Sequence, residues 1–319
     1  MAMAVAKRIR PLDLFTREEW EAISRRNSWM GPALVAHCWA VVIAAMALAI
    51  WQPWLIPVSV ILIGARQLGF AILMHDAAHG ALHPNIRFND FLGQWLCASP
   101  VGASLSSYRP YHLTHHKYAQ QPEDPDLVLS APFPVTRGSL RRKIIRDLTG
   151  QTFLKQRRNQ FLNAFGLGIR PGKGAANRAQ TAREAVFPFL ASNLLMLALL
   201  TALGHWWAYF VLWLLPLATW QQLVTRLRNI AEHAVVPDND DPMRHARTTL
   251  ANPLEGLIIA PYWVNYHCEH HMFMHLPCYR LGVAHKALRD KGITDRMEVK
   301  RGYLSVLAEA SGKREPVPA

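Results

Sequence analysis

The sequence contains the pattern Tyr-His-x-x-His-His twice, as YHLTHH at residues 111–116 and as YHCEHH at residues 266–271. Two shorter groups, HDAAH at 75–79 and NIAEH at 229–233, place further polar side chains at helical spacing. Residues separated by three or four positions lie on one face of a helix, so the side chains within each group can converge. Converging imidazoles are typical of metal ligands, and we expect these groups to bind metal.

Nine of the fifteen histidines fall in these four groups. They are His75, His79, His112, His115, His116, His233, His267, His270 and His271. One ion takes about four to six ligands, so nine imidazoles predict two ions with about four or five ligands each. Asn229, one helical turn before His233, is expected to complete the poorer ion through a bound water. Imidazole ligands suit iron, copper, zinc or nickel, and they disfavour magnesium and calcium.

The other six histidines have a simpler interpretation, because a single histidine in a helix is usually a packed or hydrogen-bonded side chain. They are His37, His83, His205, His245, His275 and His285. The nine clustered histidines cannot all be interpreted in this way. Protonated together they would repel one another, and buried in the neutral form each would need its own polar partner.

The elements that must position these groups include four long apolar stretches, at residues 32–50, 55–74, 186–204 and 206–224. Arg66 is the only formally charged residue within them. A bilayer core of about 30 Å is crossed by about 20 helical residues, so each stretch is long enough to span a membrane. Short tryptophan-rich turns at 51–54 and 204–207 predict that the stretches pair as two hairpins.

The basic residues are distributed asymmetrically around these spans. Of the 35 lysines and arginines, all except Arg66 fall in the N-terminal arm, in the middle segment 75–185, or from Arg226 onward. Positively charged segments stay on the cytoplasmic side, so both termini and the middle segment are expected there. Four spans then return every histidine group to one side of the bilayer. The net charge of +13 fits contact with anionic lipid, and no basic face with interleaved aromatic residues indicates nucleic-acid binding.

The predicted fold class is an all-α membrane protein, with four transmembrane helices in two hairpins and a cytoplasmic helical cap that holds a di-metal site. Five segments follow in order: a cytoplasmic amphipathic arm at 1–31, the first hairpin at 32–74, a cap segment with the first histidine groups at 75–185, the second hairpin at 186–224, and a cap segment with the last histidine groups and a loose tail at 225–319. A basic linker rich in glycine and alanine at 168–180 leads into the third span.

The order of the four histidine groups around two hairpins resembles the integral-membrane fatty-acid desaturase and hydroxylase superfamily, over roughly residues 66–281. Supporting matches are QQPEDPDL at 120–127 and HHMFMHLPCYRL at 270–281, although Met274 stands where many members carry proline. The resemblance implies a four-helix membrane enzyme with a non-haem di-iron centre that uses dioxygen and two external electrons. It also implies that the nine histidines are iron ligands and that Asn229 holds a water.

Such a centre fits the chemistry of desaturation. No side chain alone can remove hydrogen from an unactivated CH₂ group, so the metal and oxygen must do so. The protein supplies ligands, places one C–C bond and excludes water. Carboxylates are expected to orient the imidazoles through their second ring nitrogen. The candidates are Asp76, Asp124, Asp126, Glu232 and Glu269, each of which can also be a solvated charge.

Three further features have structural interpretations. Arg66 lies about 13 Å into the membrane from His75, and we expect it, with Gln67, to make a polar contact between helices rather than line a substrate path. The basic run at 137–146 is expected to contact membrane lipid, with the phosphates of a carrier-bound acyl chain as the alternative. Tyr111 and Tyr266 are expected to pack or to contact the ligands from outside.

We expect an oxygen-dependent desaturase that introduces a double bond into a fatty-acyl chain, carried as an acyl lipid or an acyl thioester. The first alternative is a hydroxylase or ketolase of the same superfamily that acts on a carotenoid or another hydrophobic chain. An alternative from another class is a metal transporter or sensor, although transport sites usually lie near the bilayer midplane. The expected location is a bacterial cytoplasmic membrane.

The electrons are expected to come from a separate protein. The sequence has no GxGxxG fingerprint and no cysteine-rich iron–sulfur segment, and its four cysteines form no CxxC pair. A ferredoxin, a rubredoxin or a small haem protein would serve as the donor, and an acidic one would suit the positive cap. Membrane lipid and the hydrophobic acyl chain are the other expected partners.

Overall fold

The computed structural model describes residues 7–168 and 175–312. Residues 169–174 of the predicted linker at 168–180, and the tail at 313–319, lie outside the described residues. The chain forms two compact units. The histidine unit comprises 1–27, 111–144 and 225–319, and the span unit comprises 28–110 and 145–224.

The described residues are mostly helical. Helices in the first half are α1 (Arg17–Ser24), α2 (Met30–Trp51), α3 (Ile56–Ala78), α4 (Ile86–Phe91), α5 (Ser99–Val101), α6 (Leu105–Tyr118), α7 (Leu127–Ser130), α8 (Arg137–Leu148) and α9 (Gln151–Ala164). Those in the second half are α10 (Ala175–Ala202), α11 (Trp206–Ala208), α12 (Leu215–Ala218), α13 (Trp220–His233), α14 (Pro253–Ile258), α15 (His267–Met272), α16 (Cys278–Asp290) and α17 (Tyr303–Ala310). The strands are β1 (Thr248–Leu250) and β2 (Val299–Arg301). Turns of 3₁₀ helix cover Pro11–Asp13, Pro53–Leu55 and Ile293–Arg296, and π-helical turns cover Leu92–Ala98 and Tyr209–Leu214.

Three helical segments among the described residues are long and apolar enough to cross a membrane. They are Met30–Trp51, Pro53–Ala78 and Gln180–Ala202. A turn of 3₁₀ helix at Pro53–Leu55 joins α2 to α3, and Ser59 of α3 donates a hydrogen bond to the Ala45 carbonyl of α2 at 2.9 Å. Arg66 is buried in α3, and the adjacent Gln67 donates from Nε2 to the Trp213 carbonyl at 2.8 Å. Gln67 therefore makes a polar contact between helices of the kind expected here.

The fourth apolar stretch, at 206–224, forms no single long helix. It begins as α11, continues as the π-helical turn Tyr209–Leu214 and then as α12, and breaks at Thr219, where φ is −124° and ψ is −82°. Pro216 has no N–H to donate to the preceding turn, and wider π turns accommodate such interruptions. The expected fourth span is therefore a broken helical segment, which is where the structure differs from four uninterrupted helices.

A buried asparagine joins this broken segment to α10. The Asn193 carbonyl oxygen accepts hydrogen bonds from Tyr209 Oη at 3.1 Å and from Trp213 Nε1 at 2.9 Å. Its amide donates to the Pro100 carbonyl at 3.2 Å and to the Phe189 carbonyl at 2.8 Å. Each of these polar groups would be costly to bury in an apolar interior without a hydrogen bond. The Asn193 side chain provides hydrogen bonds to all four and thereby links several elements of the span unit.

The histidine unit contains a short sheet that the all-α prediction omitted. Strands β1 and β2 pair in parallel, with Thr248 opposite Val299 and Leu250 opposite Arg301. Three residues are too few for alternation to be visible in a sequence. Thr248 also forms an isolated bridge with Tyr266, the residue that precedes α15, so the sheet fixes the start of a helix that carries three histidines.

The N-terminal arm belongs to the core of the histidine unit. Helix α1 begins at a capping box in which the Thr16 side chain accepts from the Glu19 N–H and the Glu19 side chain accepts from the Thr16 N–H. The Trp20 ring centroid lies 5.0 Å from that of Phe273. From α16, Arg280 Nε donates to the Ile23 carbonyl at 2.7 Å. The arm is therefore anchored by both apolar packing and hydrogen bonds.

Candidate metal centre

Seven of the nine predicted ligands lie in the histidine unit, on three helices. Helix α6 carries His112, His115 and His116, α13 ends at His233, and α15 carries His267, His270 and His271. The i, i+3, i+4 spacing on α6 and on α15 turns three imidazoles to one side of each helix. The structure thus brings together residues that are separated by more than a hundred positions in the sequence.

Four of these histidines form one compact group. Ring nitrogens of His115, His233, His267 and His271 all lie within 4.8 Å of one another. The Nε2–Nε2 distances are 3.3 Å between His115 and His271, 3.0 Å between His233 and His267, and 3.2 Å between His267 and His271. Metal–imidazole bonds of about 2.0–2.1 Å place neighbouring ligand nitrogens about 2.9–3.4 Å apart. The spacing of the group therefore fits a single metal ion.

The hydrogen bonds at Nδ1 determine whether Nε2 presents a proton or a lone pair to the centre of this group. His233 Nδ1 donates to the His245 carbonyl at 3.1 Å, and a carbonyl can only accept. His115 Nδ1 lies 2.8 Å from Asp124 Oδ1, which is also an acceptor when ionised. In a neutral imidazole the proton is then on Nδ1, and Nε2 presents a lone pair. The lone pairs of His115 and His233 are therefore available at Nε2, on the side where the ring nitrogens of the group converge, and this arrangement fits a metal ion at the centre of the group.

Burial keeps the imidazoles in the form that ligation requires. Burial, followed by the charge of neighbouring imidazoles, holds the pKa of His233 and of His271 well below the usual value. Burial also raises the pKa of Glu232 to about 7, although Arg228 beside it acts in the opposite direction. Glu232 Oε1 lies 2.5 Å from Arg228 Nε and 3.4 Å from His267 Nδ1. Glu232 is thus placed between His267, a predicted ligand, and the guanidinium of Arg228.

The remaining three histidines of the unit form a second group. His116 Nε2 lies 3.0 Å from His112 Nε2 and 2.9 Å from His270 Nε2. All three side chains are buried. These separations also match ligand nitrogens around one ion, and three imidazoles leave that ion open to further ligands.

The other two predicted ligands, His75 and His79, lie in the span unit at the end of α3. Their ring centroids are 5.0 Å apart and the ring planes meet at 69°. Asp76 Oδ1 lies 3.7 Å from His75 Nδ1. The pair is therefore compact, as its i, i+4 spacing predicts.

Asn229 lies on α13, one turn before His233, and is half-buried. This is the position from which its side chain would have to reach a metal-bound water. Its role remains a prediction.

Two of the candidate carboxylates surround His115. Asp124 is buried and accepts from His115 Nδ1, while its other oxygen accepts from the Gln120 N–H at 2.8 Å. Asp126 Oδ2 is 3.8 Å from the same imidazole nitrogen, which is beyond hydrogen-bond range. Asp126 Oδ1 instead accepts from Tyr111 Oη at 2.5 Å. Tyr111 therefore contacts this site from outside, in the way expected of it.

Glu269 differs from the expectation that it would orient an imidazole ligand. It is fully buried on α15, and its two oxygens accept from Thr248 Oγ1 and from His285 Nδ1, the latter at 2.6 Å. His285 is not one of the clustered histidines. Glu269 therefore connects the ligand helix to β1 and α16, and its role is to fix the position of α15.

Sequence reasoning missed Arg247, whose guanidinium is buried at the end of α13. It donates to the carbonyls of Ala231, Ala234 and Val235 and pairs with Glu298 Oε1 at 3.0 Å. These are the carbonyls left without partners where a helix ends, so Arg247 caps the helix that carries His233. Nothing in the spacing of Arg247 distinguishes it from a surface arginine.

His245 is packed, as one of its two expected interpretations has it, but its ring is not hydrogen-bonded within the part of the chain that the structure describes. It is 3% exposed, and both ring nitrogens lack a hydrogen-bond partner among the described residues. Its ring centroid is 5.3 Å from that of His271. Burial lowers the pKa of His245 to about 4. Its side chain is buried beside the histidine cluster without taking part in the hydrogen bonding around it.

The chain is similar to known proteins over most of its length. The model of the family described as "Fatty acid desaturase" matches residues 51–298. The chain is 28% identical to the dihydrorhizobitoxine desaturase of Bradyrhizobium elkanii, over 87% of this chain and 81% of that protein. It is 24% identical to the sn-1 oleoyl-lipid 12-desaturase of Picosynechococcus sp., over 87% and 81%. It is also 27% identical to the beta-carotene ketolase of Paracoccus sp. strain PC1, over 67% and 73%.

Proposed function

Because the chain belongs to the fatty acid desaturase family, we propose that it is an oxygen-dependent membrane desaturase that introduces a double bond into a fatty-acyl chain at a histidine-ligated di-iron centre. The observation that carries the proposal is the convergence of four imidazole nitrogens within 4.8 Å of one another, with acceptors at Nδ1 of His115 and His233 that leave their Nε2 lone pairs free for a metal. Similarity to two desaturases supports the reaction type.

The proposal assigns two sets of ligands. One ion is held by His115, His233, His267 and His271. The other is held by His112, His116 and His270, and His75 and His79 are assigned to it because two histidines at i, i+4 would complete a five-nitrogen set. Asn229 is assigned to the four-histidine ion through a water. Imidazole suits iron, and bound iron with dioxygen supplies the oxidation that no side chain can perform.

The residues of the chain hold and orient these ligands. Asp124 keeps the proton of His115 on Nδ1 and leaves Nε2 for the metal, and the His245 carbonyl does the same for His233. Arg247 and Glu269 fix the helices that carry His233 and the three histidines of α15. Burial of the imidazoles excludes bulk water from the reacting atoms.

The apolar helices and the distribution of basic residues support a location for the metal centre. Three such helices indicate a membrane protein, and we place the metal centre and both termini on the cytoplasmic side of a bacterial membrane on the basis of the lysine and arginine distribution. A separate ferredoxin, rubredoxin or small haem protein would deliver the electrons. The substrate is then a hydrophobic acyl chain supplied from the membrane or by a carrier.

A second candidate is a ketolase or hydroxylase that acts on a carotenoid or another hydrophobic chain. The similarity to a beta-carotene ketolase favours it. Both reactions begin with hydrogen removal from carbon, and they differ in whether oxygen is added to the product.

Expression in a host of known lipid and pigment composition tests the proposal. Mass spectrometry should show acyl chains that are lighter by two hydrogens in cells that carry the protein, and none in cells that carry His267→Ala. Products that gain oxygen would favour the ketolase. Purified protein should also consume oxygen only when reductant is present, and a protein that binds metal without such consumption would support a transporter or sensor instead.

A further inference from the structure

The histidine unit contains a cavity of about 440 Å³ that extends from the N-terminal arm to the histidine cluster. This volume lies within the usual range for small-molecule sites, about 300–1,000 Å³. At its inner end the cavity is lined by His116 and His271, which belong to the two proposed ligand sets, and by His245. A molecule in the cavity therefore has one end beside the metal centre.

His245 is an independent sign that this inner end is built for a ligand. Its side chain is buried, it lines the cavity, and neither ring nitrogen has a hydrogen-bond partner among the described residues. Burying an unsatisfied polar group costs about 1–3 kcal/mol, so such groups are uncommon where nothing binds. A ligand in the cavity can satisfy the ring from the cavity side.

The walls of the cavity are apolar. Trp20 from α1 and Phe273 from the segment after α15 form an aromatic surface, with ring centroids 5.0 Å apart. Ile9, Met272 and Leu276 extend it. Since Trp20 and Phe273 are also held by the core of the unit, this surface is preformed and suits a hydrocarbon segment.

The outer rim is cationic. Lys7, Arg8 and Arg26 line it, and no aspartate or glutamate is among the described residues that line the cavity. No ion pair or side-chain hydrogen bond joins Lys7 or Arg8 to another described residue, whereas Arg26 Nη2 donates to the His275 carbonyl at 2.8 Å. Burial lowers the pKa of His275, and Arg26 and Arg8 lower it further, which is consistent with an electropositive mouth.

We propose that this cavity is the substrate site, and that it takes a small amphiphile whose carboxylate or phosphate end binds Lys7 and Arg8 while its hydrocarbon part lies against Trp20 and Phe273 and ends beside the histidine cluster. This inference rests on the proposed function, because it identifies the class of molecule that the metal centre oxidises. An anionic end group accounts for the cationic rim, and a hydrocarbon segment accounts for the apolar walls. The N-terminal arm then determines substrate choice.

Calorimetric binding to the purified, metal-loaded protein in nanodiscs, without oxygen or reductant, tests the proposal. The probes are octanoate, octyl phosphate, neutral 1-octanol and inorganic phosphate. We expect octanoate or octyl phosphate to bind at least about tenfold more tightly than octanol and than inorganic phosphate. Whichever anion binds more tightly identifies the end group.

Two substitutions on the arm provide the matched comparison. Arg8→Gln should weaken binding of the anionic probe about tenfold and leave octanol unchanged. Arg17→Gln, on the same arm but outside the cavity, should change neither. Both arginines are exposed, so both variants should fold.

Equal affinity for octanoate, octyl phosphate and octanol would overturn the proposal, as would equal effects of Arg8→Gln and Arg17→Gln. If inorganic phosphate bound as tightly as octyl phosphate, the proposal that the ligand is an amphiphile would be wrong, and the rim would be only an anion-binding surface. Because no turnover is involved, these outcomes are separate from failure of the desaturase proposal, which would appear as missing metal or missing oxidised product.

Discussion

At the scale of single residues, the histidine cluster depends on groups that hold the far side of each ring. The Asp124 carboxylate accepts at Nδ1 of His115, and the His245 carbonyl accepts at Nδ1 of His233. Such outer contacts set the tautomer and the orientation of the ligand. The sequence alone suggested Asp124 as one of five carboxylates, but the backbone acceptor has no signature in a sequence.

Asp124→Asn should lower metal affinity by about 10–100-fold, since an amide cannot hold the His115 proton as a carboxylate does. Competition with a chromophoric chelator measures this. Asp126→Asn is the matched control, because its Oδ2 is 3.8 Å from the same nitrogen. Equal losses in the two variants would show that general negative charge, rather than the hydrogen bond to His115, is responsible.

A second residue-scale prediction concerns two adjacent threonines. Thr248 Oγ1 donates to the buried Glu269 carboxylate, whereas Thr249 Oγ1 is buried without a partner among the described residues. Thr248→Val should therefore destabilise the protein by about 1–3 kcal/mol, and Thr249→Val should be neutral or slightly stabilising. Thermal unfolding in detergent would compare them. A lower melting temperature for Thr249→Val than for Thr248→Val would refute the role given to this hydrogen bond.

At the scale of elements, the helices that carry histidines are fixed by contacts from distant parts of the chain. The first two spans and the i, i+3, i+4 faces of α6 and α15 were predictable, because hydrophobic length and helical periodicity are local properties. The break at Thr219, the sheet of β1 and β2 and the cap by Arg247 were not. The sheet joins β1 to the distant β2, and Arg247 folds back onto α13 across a loop, so neither is visible in a local pattern. The break at Thr219 lies in a stretch that hydrophobicity alone presents as continuous.

Asn193 permits an element-scale prediction. Replacing it by leucine leaves Tyr209 Oη and Trp213 Nε1 without their acceptor in an apolar interior, so Asn193→Leu should cost about 1–3 kcal/mol of stability. Tryptophan fluorescence during unfolding in detergent measures the change. Thr201→Val on the same helix is the control, because its hydroxyl is exposed and donates only to the Leu197 carbonyl. If Asn193→Leu were as stable as the wild-type protein, packing alone would join α10 to the broken segment.

At the scale of the whole molecule, the chain combines an apolar span unit with a unit rich in buried histidine. The four histidine groups and the family were predictable from spacing alone. The cavity beside the cluster was not, because it is formed by the arm at 7–26 and the segment at 271–276, and only the fold brings these together. Residues that a sequence presents as a charged arm thus become part of the proposed substrate site.

The number of metal ions in the purified protein tests the central claim most directly. Mass spectrometry of metals in wild-type protein should find two irons per chain, and His267→Ala should hold about one or fewer and lose activity. His205→Ala, which changes a histidine at the turn between α10 and α11, should keep both irons. Wild-type protein with no iron, or a His267→Ala variant with two irons and full activity, would contradict a di-iron centre built from these histidines.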